Sequence, residues 1–323
     1  MVSESKQAIT VTCEDCKVKC QRFGKHRNGL RRFRCAKCGK TYTEAHERTL
    51  GAMYISQEKA ILATRLLLEG NSIRSTERCT GLDRGTIATM LLRAGERCEK
   101  LLAEKIVNLK VRDVEADEMW GFVGMKEKVR ANRYPDADVL GDAYTYVAME
   151  RNSKLILAWH LGKRNRQETL QFIVKLRRAT KGIFQLTTDG WTAYPDAVER
   201  VFGNDIHFAQ LIKVYAASRD GEQRYSPAEV VDVEVVPRAG MPDYERICTS
   251  HIERQNLTMR MQIRRLTRLT NAFSKKWENL RAAIALHFAY YNFCRVHSSL
   301  RVTPAMEAGL TYHVWSIAEL LTA

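Results

Sequence analysis

Three acidic residues, far apart in the sequence, are candidates for metal-dependent chemistry. Asp117 lies within the apolar, strand-like segment 111–123, Asp189 closes a second strand-like segment, and Glu253 lies in a helix-forming segment. If the two strands are neighbours, the three carboxylates can converge and hold two divalent ions about 3.5–4 Å apart. Hard carboxylate oxygens favour Mg²⁺ or Mn²⁺, and such a pair activates the attacking oxygen and stabilises the leaving oxygen of a phosphodiester.

The residues themselves leave alternatives at two of these positions. Glu115 shares a strand face with Asp117, because side chains on a strand alternate with period two, and Glu118 is the next residue. Spacing alone does not choose among these three acids. Asp189 precedes Gly190, so it also fits a residue that only begins a turn.

A basic, helix-forming segment, residues 249–265, surrounds Glu253. At 100° per residue, Arg260 and Arg264 lie within about 20° of Glu253 on one helical face. One carboxylate among cations predicts a metal beside a polyanion, although a solvated basic face has the same pattern. The residues of this segment that we predict to contact DNA are Arg254, Asn256, Arg260 and Arg264.

Four cysteines are spaced as a zinc site. Zinc takes four soft ligands in a tetrahedron, and each Cys-x-x-Cys pair supplies two of them from one tight turn. Cys20 and His26 lie in the intervening loop and complete no second pair, so neither is predicted to be a ligand. The predicted Zn²⁺ ligands form the pattern Cys13-x2-Cys16-x18-Cys35-x2-Cys38.

The segment that holds these cysteines is strongly basic. Residues 1–50 contain 12 Lys and Arg against 5 Asp and Glu. The run Arg31, Arg32 and Arg34 therefore predicts contacts between a zinc ribbon and DNA phosphates. A contact with another protein is the alternative.

Residues 55–95 change to amphipathic helices. A turn at Gly81 joins the second and third helices, which is the arrangement of a helix-turn-helix. The start of the third helix would then present Arg84, Thr86 and Thr89 to the major groove. A plain three-helix bundle would show the same apolar spacing. The predicted helices cover residues 57–69, 73–79 after a Ser72 cap, and 84–95 after an Asp83 cap.

The remainder of the chain predicts an α/β domain. The order of strands and helices indicates a mixed sheet with helices on its faces. Residues 216–246 are polar and turn-rich, which predicts an insertion or a mobile flap, and residues 274–296 predict an amphipathic helix. The predicted strands are 111–123, 144–149, 155–161, 183–188 and 208–214, and the helices between them are 167–178 and 193–202. The predicted domains are a zinc ribbon (1–50), a helix-turn-helix domain with a helical connector (51–110) and a catalytic domain (111–323).

The overall charge favours an anionic partner. The 323 residues include 52 Lys and Arg against 37 Asp and Glu, a formal charge of +15. This excess favours nucleic acid over an acidic membrane, although charge alone does not separate the two. With no apolar run of about 18 residues and no secretory signal, we expect no membrane partner and a cytoplasmic, nucleoid-associated protein. Its nine cysteines should then be reduced thiols or metal ligands.

Several segments resemble the DDE transposases of the bacterial insertion-sequence-one type. The order of zinc ribbon and helix-turn-helix is also similar to that family, so the likeness covers nearly the whole chain. It implies a ribonuclease-H-like fold in which Asp117, Asp189 and Glu253 form a triad that binds two Mg²⁺ ions, and it selects Asp117 over Glu115. The similar segments are Glu115-Ala-Asp117-Glu118-Met-Trp120, Thr188-Asp189-Gly190, His251-Ile-Glu253-Arg254-Gln-Asn256-Leu-Thr-Met-Arg260, and the tail 291–306.

The resemblance also implies a function. A transposase of this type binds the terminal inverted repeats of its element, cleaves the 3′ ends and joins them to target DNA. Because two ends must be joined in one event, we expect at least a homodimer on DNA. The alternatives are a DNA-binding regulator whose carboxylates no longer work, and a related nuclease that lacks strand transfer.

Overall fold

A computed structural model of the chain describes residues 10–26, 30–44, 53–137, 139–215 and 230–322. The chain divides into two compact units, Met1–Ile61 and Leu62–Ala323. Within the described ranges, no helix combines the length and the apolar character needed to cross a membrane.

The first unit contains a small antiparallel sheet. Its strand order is β1-β2-β3, and Phe33 on β2 is buried. The only other fully buried apolar side chains of its core are Cys13, Cys20 and Cys35 among the described residues. So small an apolar core rarely folds without a metal or disulfides, which fits the predicted ribbon. The strands are β1 (Gln21–Lys25), β2 (Arg31–Arg34) and β3 (Thr41–Thr43).

Three helices follow, and their ends are set by side-chain caps. The Ser72 hydroxyl accepts a hydrogen bond from the Ser75 amide at 3.1 Å. Gly81, at φ +67°, ends the second helix, and the Asp83 carboxylate accepts from the Gly85 amide at 2.7 Å. The helices are α1 (Gln57–Leu68), α2 (Ile73–Thr80) and α3 (Arg84–Lys105).

The predicted end of the third helix at Gly95 is wrong, because α3 continues to Lys105 as one helix. Gly95 is fully covered by another helix, and a Cβ atom there would lie 2.6 Å from the Ala282 carbonyl oxygen. This glycine permits close helix packing and does not terminate the helix. Consequently α3 lies in the same compact unit as the sheet that follows.

The second unit is built on a six-stranded mixed sheet of order β11-β10-β9-β5-β6-β7. Strands β5, β6 and β7 are antiparallel, β9 and β10 run parallel to β5, and β11 is antiparallel to β10. The strands, which include the short parallel pair of β4 and β8, are β4 (Leu109–Lys110), β5 (Asp113–Val123), β6 (Gly141–Glu150), β7 (Ile156–Gly162), β8 (Thr180–Lys181), β9 (Gln185–Thr188), β10 (His207–Tyr215) and β11 (Val230–Ala239).

Helices flank this sheet, and the predicted α/β class with a ribonuclease-H-like mixed sheet is confirmed. Three antiparallel strands followed by two strands parallel to the first are the strand order of that fold. The predicted helices 167–178, 193–202 and 274–296 correspond to α5, α6 and α8. The helices are α4 (Glu127–Arg133), α5 (Arg166–Ala179), α6 (Tyr194–Phe202), α7 (Ser250–Gln262), α8 (Trp277–Phe293), α9 (Pro304–Glu307) and α10 (Ile317–Thr322), with 3-10 turns at Tyr244–Arg246 and Arg264–Leu266.

The prediction of an insertion over residues 216–246 is corrected in its second half. Val230–Ala239 form the edge strand β11, which pairs with β10 through neighbours such as Val236 and Gln210. The alternation of valines with acids in this strand is a period-two strand signal, which the nearby glycines and prolines obscured. Most of the strand is exposed on both faces. Residues 216–229 lie outside the described residues.

The packing of α3 on α8 generates a prediction. Gly95→Ala should lower the free energy of unfolding by about 1–3 kcal/mol, because the added methyl group overlaps the backbone of Ala282. In an exposed helix the same change stabilises by up to about 1 kcal/mol, so the sign itself is diagnostic. Urea denaturation measures the change, with the exposed neighbour Glu96→Ala as the control. A Gly95→Ala protein as stable as the parent would contradict this helix crossing.

Candidate metal sites and nucleic-acid interface

Two neighbouring strands bring the predicted acids Asp117 and Asp189 together. β5 and β9 run parallel, with Ala116 beside Thr188. The residue after each of these, Asp117 in the middle of β5 and Asp189 just past the end of β9, therefore lies at the same level of the sheet. Glu118 joins them, and the three carboxylates offer oxygen atoms that all lie within 4.8 Å of one another. We call Asp117, Glu118 and Asp189 the acidic cluster.

The electrostatics of the acidic cluster fit a bound cation. Burial and the neighbouring Asp189 raise the pKa of Asp117 to about 6. The same two causes raise the pKa of Glu118 to about 8, and burial raises the pKa of Asp189. One carboxylate oxygen of Glu118, Oε1, is buried without a hydrogen-bond partner in the described part of the chain. Buried like charges of this kind are costly unless a cation compensates them, and hard oxygens suit a divalent ion such as Mg²⁺.

Arg164 supplies a counter-charge to the acidic cluster. The Arg164 guanidinium lies 3.1 Å from Glu118 and 3.5 Å from Asp189. It stacks over the Trp191 ring, 4.3 Å from its centroid, while the Trp191 amide donates to Asp189 at 3.0 Å. Trp191 therefore positions both the arginine and one of the acids. Residue spacing does not point to Arg164, because this residue follows β7 and is far from all three acids in the chain.

Glu253, the third predicted acid, lies outside the acidic cluster. It is on α7, where its carboxylate is exposed, pairs with the Lys213 ammonium group and accepts a hydrogen bond from the Thr249 hydroxyl at 2.6 Å. Its charge nevertheless contributes to the raised pKa of Asp117. Glu253 is thus an electrostatic neighbour of the cluster but shares no 4.8 Å group with it in the described residues.

Glu115 fixes α7 in place. Its carboxylate is buried and accepts hydrogen bonds from the backbone amides of His251 at 2.9 Å and Ile252 at 3.1 Å. It also lies 2.6 Å from the His251 ring nitrogen Nδ1. These contacts satisfy the free amides at the helix start and place a negative charge at the positive end of its dipole. The alternative between Glu115 and Asp117 is thereby explained in structural terms, since Glu115 contacts α7 and Asp117 joins the cluster.

About one helical turn later, Asn256 joins α7 to the acidic cluster. Predicted as a DNA contact, Asn256 is only 9% exposed, and its amide donates to Asp117 at 2.7 Å. The carboxylate of Asp117 also accepts from the Glu118 amide at 2.8 Å. These two donors orient the carboxylate and favour its charged form.

The predicted basic face of α7 is only partly present. The helix ends at Gln262, so Arg264 lies in the following 3-10 turn and does not share a helical face with Glu253. Arg264 and Arg254 are exposed, whereas Arg260 is half-buried, and burial lowers its pKa. The apolar pattern predicted a longer helix, because Ile263 continues the helical spacing of apolar residues. Its backbone is extended, however, and α7 ends one residue earlier.

In the first unit, the four predicted zinc ligands are brought together. The sulfur atoms of Cys13, Cys16, Cys35 and Cys38 lie within 4.8 Å of one another. The Cys13 and Cys38 sulfurs are 3.6 Å apart, close to the edge of about 3.8 Å expected in a tetrahedron with Zn–S bonds of about 2.3 Å. The Tyr42 hydroxyl, 3.1 Å from the Cys13 sulfur, lowers the pKa of Cys13 to about 6, which favours the thiolate that binds metals. The geometry and the soft donor set both fit zinc.

The other residues predicted to bind DNA lie on strand β2 and at the start of helix α3. Arg32 and Arg34 stack over the Phe23 ring, at 5.2 and 5.3 Å from its centroid, and Arg31 is half-buried on the same strand. At the start of α3, Arg84 and Thr89 are exposed and Thr86 is half-buried.

Comparisons with known proteins give distant structural likenesses. No protein-family model and no curated protein matches the chain. The chain is similar to a piggyBac transposase synaptic complex with hairpin DNA, with TM-score 0.40, 10% identity, and coverage of 86% of this chain and 71% of that one. It is also similar to a pre-cleavage Mos1 transpososome, with TM-score 0.18, 15% identity and coverage of 51% and 62%. A third likeness is to Endonuclease V of Bacillus subtilis, with TM-score 0.22, 10% identity and coverage of 63% and 90%.

The cysteine geometry predicts one zinc ion per chain. Cys35→Ser should lose this ion, because an alcohol at this position cannot replace a thiolate in the tetrahedron. Elemental analysis of the purified full-length protein measures the stoichiometry. Cys20→Ser is the control, since Cys20 is buried beside the site but lies outside the group of four. Loss of zinc from the Cys20→Ser protein together with retention by Cys35→Ser would contradict the assignment.

The acidic cluster predicts stabilisation by divalent cations. Mg²⁺ or Mn²⁺ should raise the melting temperature of the full-length protein by several degrees, because the ion binds only the folded arrangement of the carboxylates. Asp189→Asn should remove most of that rise, whereas Glu199→Gln, an exposed acid on α6, should keep it. Thermal denaturation with and without each ion measures the effect. An equal rise in both variants would show that the ions bind elsewhere.

Proposed function

We propose that this chain is a Mg²⁺-dependent DNA transposase of the DDE type, similar to that of the insertion-sequence-one elements. The observation that carries the proposal is the acidic cluster at the junction of β5 and β9, where three carboxylates offer oxygens within 4.8 Å of one another. The sequence resemblance of the segments around Asp117, Asp189 and Glu253 supports the same assignment. The net charge of +15 supports DNA as the partner.

In the proposed mechanism, Asp117 and Asp189 would hold the metal ions. Bound Mg²⁺ or Mn²⁺ supplies an activated oxygen nucleophile and stabilises the leaving oxygen of a phosphodiester. Asn256 keeps the Asp117 carboxylate oriented through its 2.7 Å hydrogen bond. Arg164 stays paired with Glu118, and the free edge of its planar guanidinium would bind a phosphate of the scissile strand.

The third metal ligand is Glu253 by resemblance and Glu118 by proximity. We propose Glu253, with Lys213 as the partner that must leave it. The Lys213 ammonium group moves to a DNA phosphate when the duplex binds, and the Glu253 carboxylate then turns toward Asp117, whose pKa it already influences. Glu118 keeps its buried position and interacts with Arg164.

The proposed roles of the remaining elements concern DNA recognition. The exposed residues Arg84 and Thr89 at the start of α3 read the terminal inverted repeat, and the Zn²⁺ ribbon contacts phosphates through Arg31, Arg32 and Arg34. Arg254, Arg260 and Arg264 hold the duplex beside the acidic cluster. Two chains act together on two element ends, in the cytoplasm at the nucleoid. The freed 3′ hydroxyl attacks a phosphodiester of the target DNA and displaces the target strand's own 3′ oxygen, so that one phosphodiester bond forms as another breaks.

A second candidate is a DNA-binding regulator in which the carboxylates no longer work. The pairing of Glu253 with Lys213 favours it, because a lysine that permanently neutralises the third acid would prevent metal binding. The two candidates differ in metal-dependent cleavage, so one assay separates them.

Cleavage of a supercoiled plasmid that carries the DNA flanking the coding sequence tests the proposal. We expect nicking with Mg²⁺ or Mn²⁺ and not with Ca²⁺, and a loss of at least roughly a thousandfold in Asp117→Asn and Asp189→Asn, because each removes a charged ligand. Glu253→Gln should lose as much, whereas Glu118→Gln should retain measurable nicking.

Binding of the same DNA serves as the control for this test. All four variants should shift the flanking fragment as strongly as the parent does, since none alters the N-terminal modules. Nicking that survives in Asp189→Asn would exclude this site. Binding without nicking by the unaltered protein, with every ion, would favour the regulator. Joining of pre-cleaved ends to a second plasmid distinguishes the transposase from a simple nuclease.

A further inference from the structure

A cleft of about 630 Å³ lies in the second unit, between the helix-turn-helix and the segment that follows α7. The end of α1, α2 and the first half of α3 form one wall, and residues 262–275 with α8 form the other. Gly70 holds the two walls together at one edge, because a Cβ atom there would lie 2.6 Å from the Met261 carbonyl oxygen. The cleft is separate from the acidic cluster, none of whose residues line it.

The interior of the cleft contains polar groups with no protein partner. His287 lines it, is only 1% exposed, and has no hydrogen-bond partner for either ring nitrogen within the described ranges. The carbonyl oxygens Oδ1 of Asn279 and Oε1 of Gln262 are also buried and without partners. An unpaired buried polar group destabilises the folded protein unless a ligand or water hydrogen-bonds to it. Three such side chains around one cleft therefore indicate a ligand that hydrogen-bonds to them.

Burial keeps the imidazole neutral. It lowers the pKa of His287 to about 3, with a further contribution from Arg295. One ring nitrogen therefore donates and the other accepts. Together with the two amide side chains, the cleft offers both donors and acceptors to a flat polar edge.

The remainder of the cleft is apolar and cationic. Phe273 is half-buried and presents an aromatic ring beside aliphatic side chains such as Leu91 and Leu286. Four of the residues that line the cleft are basic. Among the described residues, the lining includes no acid. A ligand for this site therefore combines an anionic group, a flat apolar body and a hydrogen-bonding edge. The basic residues are Arg74, Arg264, Arg265 and Lys275.

We propose that this cleft binds one unpaired nucleotide of the DNA strand. The base stacks on Phe273, its polar edge hydrogen-bonds to Asn279 and His287, and its flanking phosphates contact Arg264 and Lys275. This inference rests on the proposed function only in taking DNA as the partner. A nucleotide carries all three of the required chemical features, and proteins that act on DNA commonly hold extruded bases between apolar side chains and polar side chains that read the base edge. Ala88 and Leu91 of α3, the helix whose start is proposed to contact the duplex, line the cleft.

Fluorescence with 2-aminopurine DNA tests this site in the full-length protein. The probes are a 30-base-pair duplex with one bulged 2-aminopurine and the matching duplex in which that base is paired, both measured in Ca²⁺. We expect the parent protein to bind the bulged duplex roughly tenfold more tightly and to quench its fluorescence by stacking. Phe273→Leu and Asn279→Leu should lose most of that preference and leave the affinity for the paired duplex unchanged within about twofold.

Asn204→Leu is the matched control, because Asn204 is an exposed asparagine remote from the lining of the cleft. His287→Leu is a second variant, which should fold at least as stably as the parent because it removes two unpaired buried nitrogens. It should also lose the preference. Equal binding of the two duplexes by the parent, or a full preference in both Asn279→Leu and His287→Leu, would overturn the proposal.

Three further outcomes distinguish a free nucleotide from DNA as the ligand, and this proposal from the proposed transposase function. If free 2-aminopurine deoxyribonucleoside monophosphate binds as tightly as the bulged duplex, the site is for a free nucleotide and the assignment to DNA is overturned. A preserved bulge preference in a protein that never nicks DNA would contradict the proposed transposase and leave this site standing. Failure to bind either duplex would overturn both.

Discussion

The buried carboxylate of Glu115 at the start of α7 is the interaction on which the second unit depends. α7 is exposed on one side and carries few apolar residues, so packing alone would hold it weakly. Two backbone amides, at 2.9 and 3.1 Å, and the imidazole of His251 bind this one carboxylate, which is almost inaccessible to water. Charge-assisted hydrogen bonds of this kind are about twice as strong as neutral ones. They fix both the position and the rotation of the helix that contacts Asp117.

This anchoring explains how a central strand carries acids with different duties. Glu115 and Asp117 lie on one face of β5, two residues apart. The Glu115 carboxylate accepts hydrogen bonds from α7, whereas the Asp117 carboxylate lies beside Asp189. Asn256 on α7 donates a hydrogen bond to Asp117, which belongs to the acidic cluster, so the position of α7 affects the cluster. Loss of the Glu115 contacts would let α7 shift and would remove the donor that orients Asp117. A positioning residue can thus control a metal site without contacting it.

The fold was largely predictable from the sequence, whereas the site was predictable only in part. Strand-like apolar runs located β5, β6, β7, β9 and β10, and the spacing of the paired cysteines located the four thiols that converge. The convergence of Asp117 with Asp189 needed only that their strands be neighbours. Arg164 and Lys213 could not be found in this way, because each pairs with acids distant in the chain and neither has a spacing signal. Gly95 was misread because a glycine that ends a helix and one that permits close packing look alike in a sequence.

The continuity of α3 has a mechanical consequence. Its first turn belongs to the predicted helix-turn-helix, and its later turns pack on α8, with no interruption over 22 residues. A helix of that length extends about 33 Å as a single rod. If the first turn reads DNA as proposed, the separation between the bases that are read and the phosphate at the acidic cluster is a fixed length set by the protein. A DNA end whose recognised bases lie at another distance from the cleavage site could then be accommodated only by bending or local unpairing of the duplex. The protein would thus set the distance between the bases it recognises and the phosphodiester it cleaves.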